Sequence, residues 1–173
     1  MFALGNSTDA FLLLRFSDLG LEAGAIAAIW AAHNAVKAIT SWYGGALSDR
    51  IGRRPLVAGG WMVYAAVYLG FAVETSTPAL IGLFLIYGLV FGVTEPVERS
   101  WIAHLRTTGR RGIAFGWYHG ITGLGALPAS LTFALIYTQI ASEAAFRVGA
   151  ALATVATVIL TTVPDRSQTV TPR

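Results

Sequence analysis

The chain has 173 residues, of which 55% are hydrophobic and 12% charged, about half the charged share of an ordinary soluble domain. Its mean hydropathy is +0.62, and the apolar residues gather into blocks near bilayer-spanning length, which excludes a soluble fold and makes this an all-α membrane protein. Twelve basic residues, eleven of them arginine, bring the isoelectric point to about 9.6; they fall between the apolar blocks and not on one solvated face, which speaks for membrane topology and against nucleic acid.

Six transmembrane helices are expected, in chain order over residues 2–16, 23–43, 56–73, 79–98, 112–137 and 144–163. The first starts directly at the N-terminus, where Phe2-Ala3-Leu4 follows Met1 with no basic region or cleavage site of a signal peptide. At 1.5 Å per residue it reaches about 22 Å, short of a bilayer core of about 30 Å, so further sequence upstream is expected. The acidic, turn-like stretch 17–22 leads into the second block. The fourth follows 74–78, with Thr77 as the expected N-cap and Pro78 in the first turn. Pro128 is expected to kink the fifth, and Pro164-Asp165-Arg166 stops the sixth.

Arginine collects in alternate connections: Arg50, Arg53 and Arg54 in the second, Arg99, Arg106, Arg110 and Arg111 in the fourth, Arg166 and Arg173 in the tail. The remaining connections carry Asp18, Glu22, Glu74 and Glu143. By the positive-inside rule both termini and the even connections are expected in the cytoplasm, in a plasma (inner) membrane.

The second connection reads Gly45-Ala46-Leu47-Ser48-Asp49-Arg50-Ile51-Gly52-Arg53-Arg54. On chemistry alone, Gly45 permits close helix approach, Asp49 suits the positive end of a neighbouring helix, and Gly52 suits a tight turn. The two final arginines offer charge to carboxylates or lipid phosphate. This segment resembles the G-x-x-x-D-R-x-G-R-R/K motif of the major facilitator superfamily, which lies between the second and third helices of each six-helix half. Softer likenesses are Gly5-Asn6-Ser7-Thr8-Asp9-Ala10-Phe11 to helix seven of some bacterial members and Arg111-Gly112-Ile113-Ala114-Phe115-Gly116 to the start of helix eleven.

The resemblance implies the C-terminal half of a twelve-helix transporter. Residues 1–164 would then form one half-bundle built as a 3+3 inverted repeat, and 165–173 a cytoplasmic tail. It implies gating roles for Gly45, Asp49, Arg50, Gly52, Arg53 and Arg54, with Glu98, beside Arg99, as the acidic partner of Arg53 or Arg54. It also implies a small-molecule substrate bound between this half and a missing N-terminal half or a partner six-helix half, within the lipid bilayer.

Polar residues inside the blocks mark the expected substrate or proton pathway: Asn6, Asp9, His33, Asn34, Lys37, Glu95 and His119, with Tyr87 from the aromatic series Phe84, Tyr87, Phe91. A lysine at mid-helix costs roughly 2.5–3.5 kcal/mol on insertion scales, so Lys37 needs water or a carboxylate. Asp9, at similar depth in the antiparallel neighbour, is the expected partner. His33, Lys37 and Ser41 at i, i+4 spacing form a polar stripe. His119 is a weaker candidate for a proton relay, and Gly116 and Gly120, with Gly123, form a G-x-x-x-G face suited to helix packing. Blocks three and six lack mid-membrane charge, as the family's two peripheral helices would.

The reading that follows is secondary active transport of a small solute, proton-coupled, by alternating access as an antiporter or symporter. The alternative is a truncated or partner-dependent membrane component that does not transport. An enzyme is not expected: the chain has no cysteine, H-E-x-x-H or G-x-S-x-G. No cofactor, metal site or nucleic-acid partner is expected either.

Overall fold

The computed structural model describes residues 9–104 and 111–163, and among them it is entirely helical. Six helices follow one another: α1 (Asp9–Asp18), α2 (Ala23–Ile51), α3 (Arg53–Val73), α4 (Thr77–His104), α5 (Arg111–Gln139) and α6 (Ser142–Thr162). Asn6, Arg106, Arg110, Arg166, Arg173 and the tail 165–173 lie outside the described residues.

The segments Arg53–Val73, Thr77–Trp101, Gly116–Gln139 and Ser142–Thr162 are long and apolar enough to cross a membrane. The α2 helix is long enough, at 29 residues, but His33, Asn34, Lys37, Asp49 and Arg50 make it too polar by the same measure. For α1, ten residues are described.

The motif is helical to within one residue of its turn, so that the short connection expected between residues 43 and 56 narrows to Gly52. The α2 helix runs on to Ile51, and α3 starts at Arg53. Gly52 alone reverses the chain, at φ +89° and ψ +149°, a region that essentially only glycine occupies. Its amide donates to the Ser48 carbonyl at 2.9 Å, closing the last turn of α2. At the other end of α2, Gly20 (φ +82°) ends α1 in a Schellman turn. There the Leu21 amide donates to the Phe16 carbonyl at 3.1 Å and the Gly20 amide to Ser17 at 2.9 Å. At the head of α4 the N-cap position falls to Ser76, one residue before the expected Thr77, since the Ser76 carbonyl accepts from the Leu80 amide. The Glu74 carboxylate takes the amides of Thr75 and Ser76 at 2.9 and 2.8 Å.

Packing sets α4 against both α2 and α3, α3 against α6, and α6 against α5. The core is an aromatic cluster to which all these helices except α2 contribute a ring: Phe16, Tyr64, Tyr68, Phe71, Phe84, Tyr87, Phe133 and Phe146 are buried together. Phe16 joins α1 to it edge-on, with ring centroids 6.0 Å from Phe71 and 5.9 Å from Phe84. Small buried residues on α6 (Ala145, Gly149, Ala153, Ala156) let it approach α3.

The α2–α4 seam is tighter still. A Cβ on Gly44 would lie 2.5 Å from the Val93 carbonyl oxygen, and one on Gly92 2.5 Å from that of Lys37. A Cβ on Gly88 would meet His33 Nδ1 at 2.8 Å. The close approach is therefore made by Gly44 and by Gly88-x-x-x-Gly92. Gly45 and the Gly116, Gly120, Gly123 series, expected to pack helices, have open space where a side chain would go.

At the Gly52 end, Arg54 is not paired with Glu98 as expected. It turns onto the last carbonyls of α6, with Nε and Nη2 donating to Leu160 O at 3.0 and 2.5 Å and Nη2 also to Val163 O. A cation there offsets the negative end of the helix dipole and satisfies carbonyls that have no partner within the helix.

These two glycine environments make opposite predictions. Gly92→Ala forces the Lys37 carbonyl away and should cost about 1–3 kcal/mol, seen as a lower melting temperature in detergent, whereas Gly45→Ala should melt like the parent.

Candidate functional site

The centre of the seam is Lys37. Its Nζ lies 2.8 Å from Glu95 Oε2, with both side chains 33% exposed, and 5.7 Å from the centroid of the Phe91 ring. Glu95 also receives Arg99, one turn further along α4. One carboxylate thus serves two cations, one from each helix. The expected Asp9–Lys37 pair does not form; its carboxylate comes from α4, because the glycine seam brings α4 nearer to Lys37 than α1.

Asp9 is engaged differently, accepting the Tyr87 hydroxyl at 2.6 Å. Tyr87 is buried in the aromatic core, ring to ring with His33, Phe84 and Phe91, and only its hydroxyl reaches a charged group. His33 departs from the predicted stripe. It is 2% exposed, its Nδ1 hydrogen-bonds to the Phe84 carbonyl at 2.9 Å, and its ring stacks on Phe84 at 4.3 Å. The reason is geometric: His33 sits on the α4 side of α2 against Gly88, while Asn34 faces outward, held by its own helix through the Trp30 carbonyl at 2.9 Å. The α5 helix is mostly exposed, including His119 and Trp117.

In the motif, Asp49 and Arg50 are exposed at the end of α2, and Asp49 has no hydrogen bond or ion pair among the described residues. Glu98, expected to meet Arg53 or Arg54, instead accepts Trp61 Nε1 of α3 at 2.9 Å and has the Tyr118 hydroxyl of α5 as a further hydrogen-bond partner. Arg53 has an interaction of its own, and Arg54 is committed to α6.

The opposite end of the bundle holds a cluster that was not anticipated. Arg15 of α1 donates Nη1 to Ser142 Oγ at 3.1 Å and lies 3.6 Å from Glu143. Next to it, the Tyr137 hydroxyl donates to Asp18. An arginine inside the apolar run 2–16 was the available signal. Among the described residues no group of histidines and carboxylates could hold a metal ion.

Paired charges thus lie within apolar helices, and similarity to known proteins decides the family. The family profile described as Major Facilitator Superfamily matches residues 1–173. The chain belongs to the major facilitator superfamily. This is a family of membrane transporters and not of enzymes, and the chain is a multi-pass membrane protein. It is also 32% identical over 166 residues to a protein of Methanocaldococcus jannaschii named as an uncharacterized MFS-type transporter. That match covers 92% of this chain and 42% of the relative, so the chain spans less than half the relative's length.

Removing one partner of the α2–α4 pair strands a charge. Lys37→Met or Glu95→Met alone should destabilise by an amount between the ~1 kcal/mol of an exposed pair and the ~3–5 kcal/mol of a buried one. The double variant should recover most of the loss. Thermal unfolding of the four proteins in detergent, read as a double-mutant cycle, checks this.

Proposed function

We propose that this chain supplies one six-helix half of a secondary active transporter, which moves a small solute by alternating access with proton coupling. On this reading residues 1–164 are a half-bundle with a 3+3 inverted repeat, 165–173 are a cytoplasmic tail, and the substrate passage lies between this half and a second one. That second half is either an N-terminal half or a separate six-helix partner. Both termini face the cytoplasm of a plasma (inner) membrane, as the arginine distribution supports.

The observation that carries the reading is the half-exposed Lys37–Glu95–Arg99 group in apolar helices. A structural pair alone would be expected to be sealed inside the bundle. Here a third of each side chain in the Lys37–Glu95 pair stays open, on the side of α2 where Asn34 is exposed. Such a pair can exchange its internal partner for a polar group of a solute, or for a proton on Glu95, as the passage opens and closes. Asp9, which accepts the Tyr87 hydroxyl, is the second candidate coupling group. Asn6 and His119 are assigned to the same pathway, while His33 supports it from within the seam. Asp49, Arg50 and Arg53 are assigned to gating, with Gly52 setting the turn that presents them.

Proteoliposomes carrying the complete protein and a trapped pH-sensitive dye test the proposal with the solute still unidentified, because a panel of small solutes can be screened for solute-driven proton movement. Wild-type protein should give such movement with at least one of them. Asp9→Asn and Lys37→Ala should reduce it at least about tenfold, equivalent to about 1.4 kcal/mol or more, with insertion unchanged. Wild-type rates in both variants would remove these residues from the pathway, and the absence of solute-driven flux in the complete protein would favour a non-transporting component.

A further inference from the structure

Three carboxylates of α1 and α4 sit in the bundle, and their partners differ in kind. Glu95 has two cations. Asp9 has a tyrosine hydroxyl at the start of the described part of α1. Glu98 lies partly buried among three helices, and its partners among the described residues are neutral donors: Trp61 Nε1 from α3 at 2.9 Å and the Tyr118 hydroxyl from α5.

Among the described residues, the charged groups around Glu98 give it no compensation. On its own helix, Glu95 acts on it with like charge, while Arg99 is bound to Glu95. From α2, Lys37 is bound to Glu95 as well. From α3, Arg53 has an interaction of its own and does not figure among the charges acting on Glu98, Arg54 is committed to the α6 carbonyls, and Trp61 carries no charge. From α5, the facing group is Tyr118. A carboxylate in low-dielectric surroundings with a like charge nearby and no cation bound to it among the described residues is costly as an anion, and the simplest relief is to take up a proton.

We propose that Glu98 is a proton-binding site, and that its proton is read by α5 through Tyr118. The step is proton uptake by one carboxylate oxygen, with no other bond made or broken covalently. Indole N–H can only donate, so Trp61 continues to hold the unprotonated oxygen. The protonated oxygen must then donate, and the Tyr118 hydroxyl, able to do either, turns from donor to acceptor. The α4–α5 hydrogen bond is thus kept but reversed in sense. Of the four helices long and apolar enough to cross a membrane, α5 has the least surface packed inside the bundle, so a change at this contact acts on the helix with most surface left open. The role of this site in transport rests on the function proposed above; the binding of the proton does not.

Infrared difference spectroscopy on the purified chain in detergent, stepping from about pH 6 to about pH 8 where exposed carboxylates are already ionised, tests the site directly. The expected result is a carboxylic-acid C=O band that is lost in Glu98→Gln and kept in Asp9→Asn and Glu95→Gln. Trp61→Phe, which removes one donor and leaves the carboxyl in place, should shift that band to higher frequency; it decides the matter if Glu98→Gln does not fold. A spectrum without the band, or one in which the band is unchanged by both Glu98→Gln and Trp61→Phe, overturns the assignment. Because no transport is measured, either result stands whatever the complete protein carries.

Discussion

A lysine in the middle of an apolar helix sets the terms for this bundle. Lys37 cannot face hydrocarbon without a cost of roughly 2.5–3.5 kcal/mol, and the ion pair with Glu95 requires α2 and α4 to run in near contact. Side chains of ordinary size would hold them too far apart. Gly44, Gly88 and Gly92 remove the obstruction, leaving Cβ positions whose nearest atoms of the opposite helix would lie 2.0–2.8 Å away. Charge pairing and glycine placement are thus two parts of one constraint. The stacking of His33 on Phe84 and Tyr87 follows from the same close approach.

The bundle is tied differently at its two ends. At one, Gly52 turns the chain in a single residue and Arg54 fastens α3 to the final carbonyls of α6. At the other, Arg15 reaches Ser142 and Glu143, and Asp18 receives Tyr137. Between them α3, α4 and α6 supply most of the aromatic core, which Phe16 joins from α1 and Phe133 from α5. The outward faces of α2 and α5 mix polar and small residues such as Asn34, Gly116, His119 and Gly120 with large apolar ones such as Trp42, Trp117, Leu124 and Leu131.

Much of this was legible in the residues. Block length and arginine placement gave the membrane class and the helix order, and the segment from Gly45 to Arg54 gave the family, because these depend on local composition and spacing. Partner choice was harder. Asp9 and Glu95 are both carboxylates within reach of Lys37 by depth, and which one meets it depends on interhelical distance, set by glycines whose role a sequence pattern does not distinguish. Gly88-x-x-x-Gly92 packs and Gly116-x-x-x-Gly120 does not, although the two strings have the same form. The stripe through His33 failed because one residue of rotation, about 100°, separates the seam from the open face occupied by Asn34. Arg54 was assigned by charge to a carboxylate, and the unsatisfied carbonyls of a helix end proved to be the stronger attraction.

A passage shared with a second half requires that the open side of α2 face water. The chain has no cysteine of its own, so Asn34→Cys, in a complete reconstituted protein whose other half is also free of cysteine, provides a single reporter one turn from Lys37. Membrane-impermeant thiol reagents should modify it from at least one side of the membrane, with Asp49→Cys as an exposed control. If the control reacts and the cysteine at position 34 stays inert to reagent from both sides in every state, α2 faces lipid or sealed protein and the proposed passage is not there.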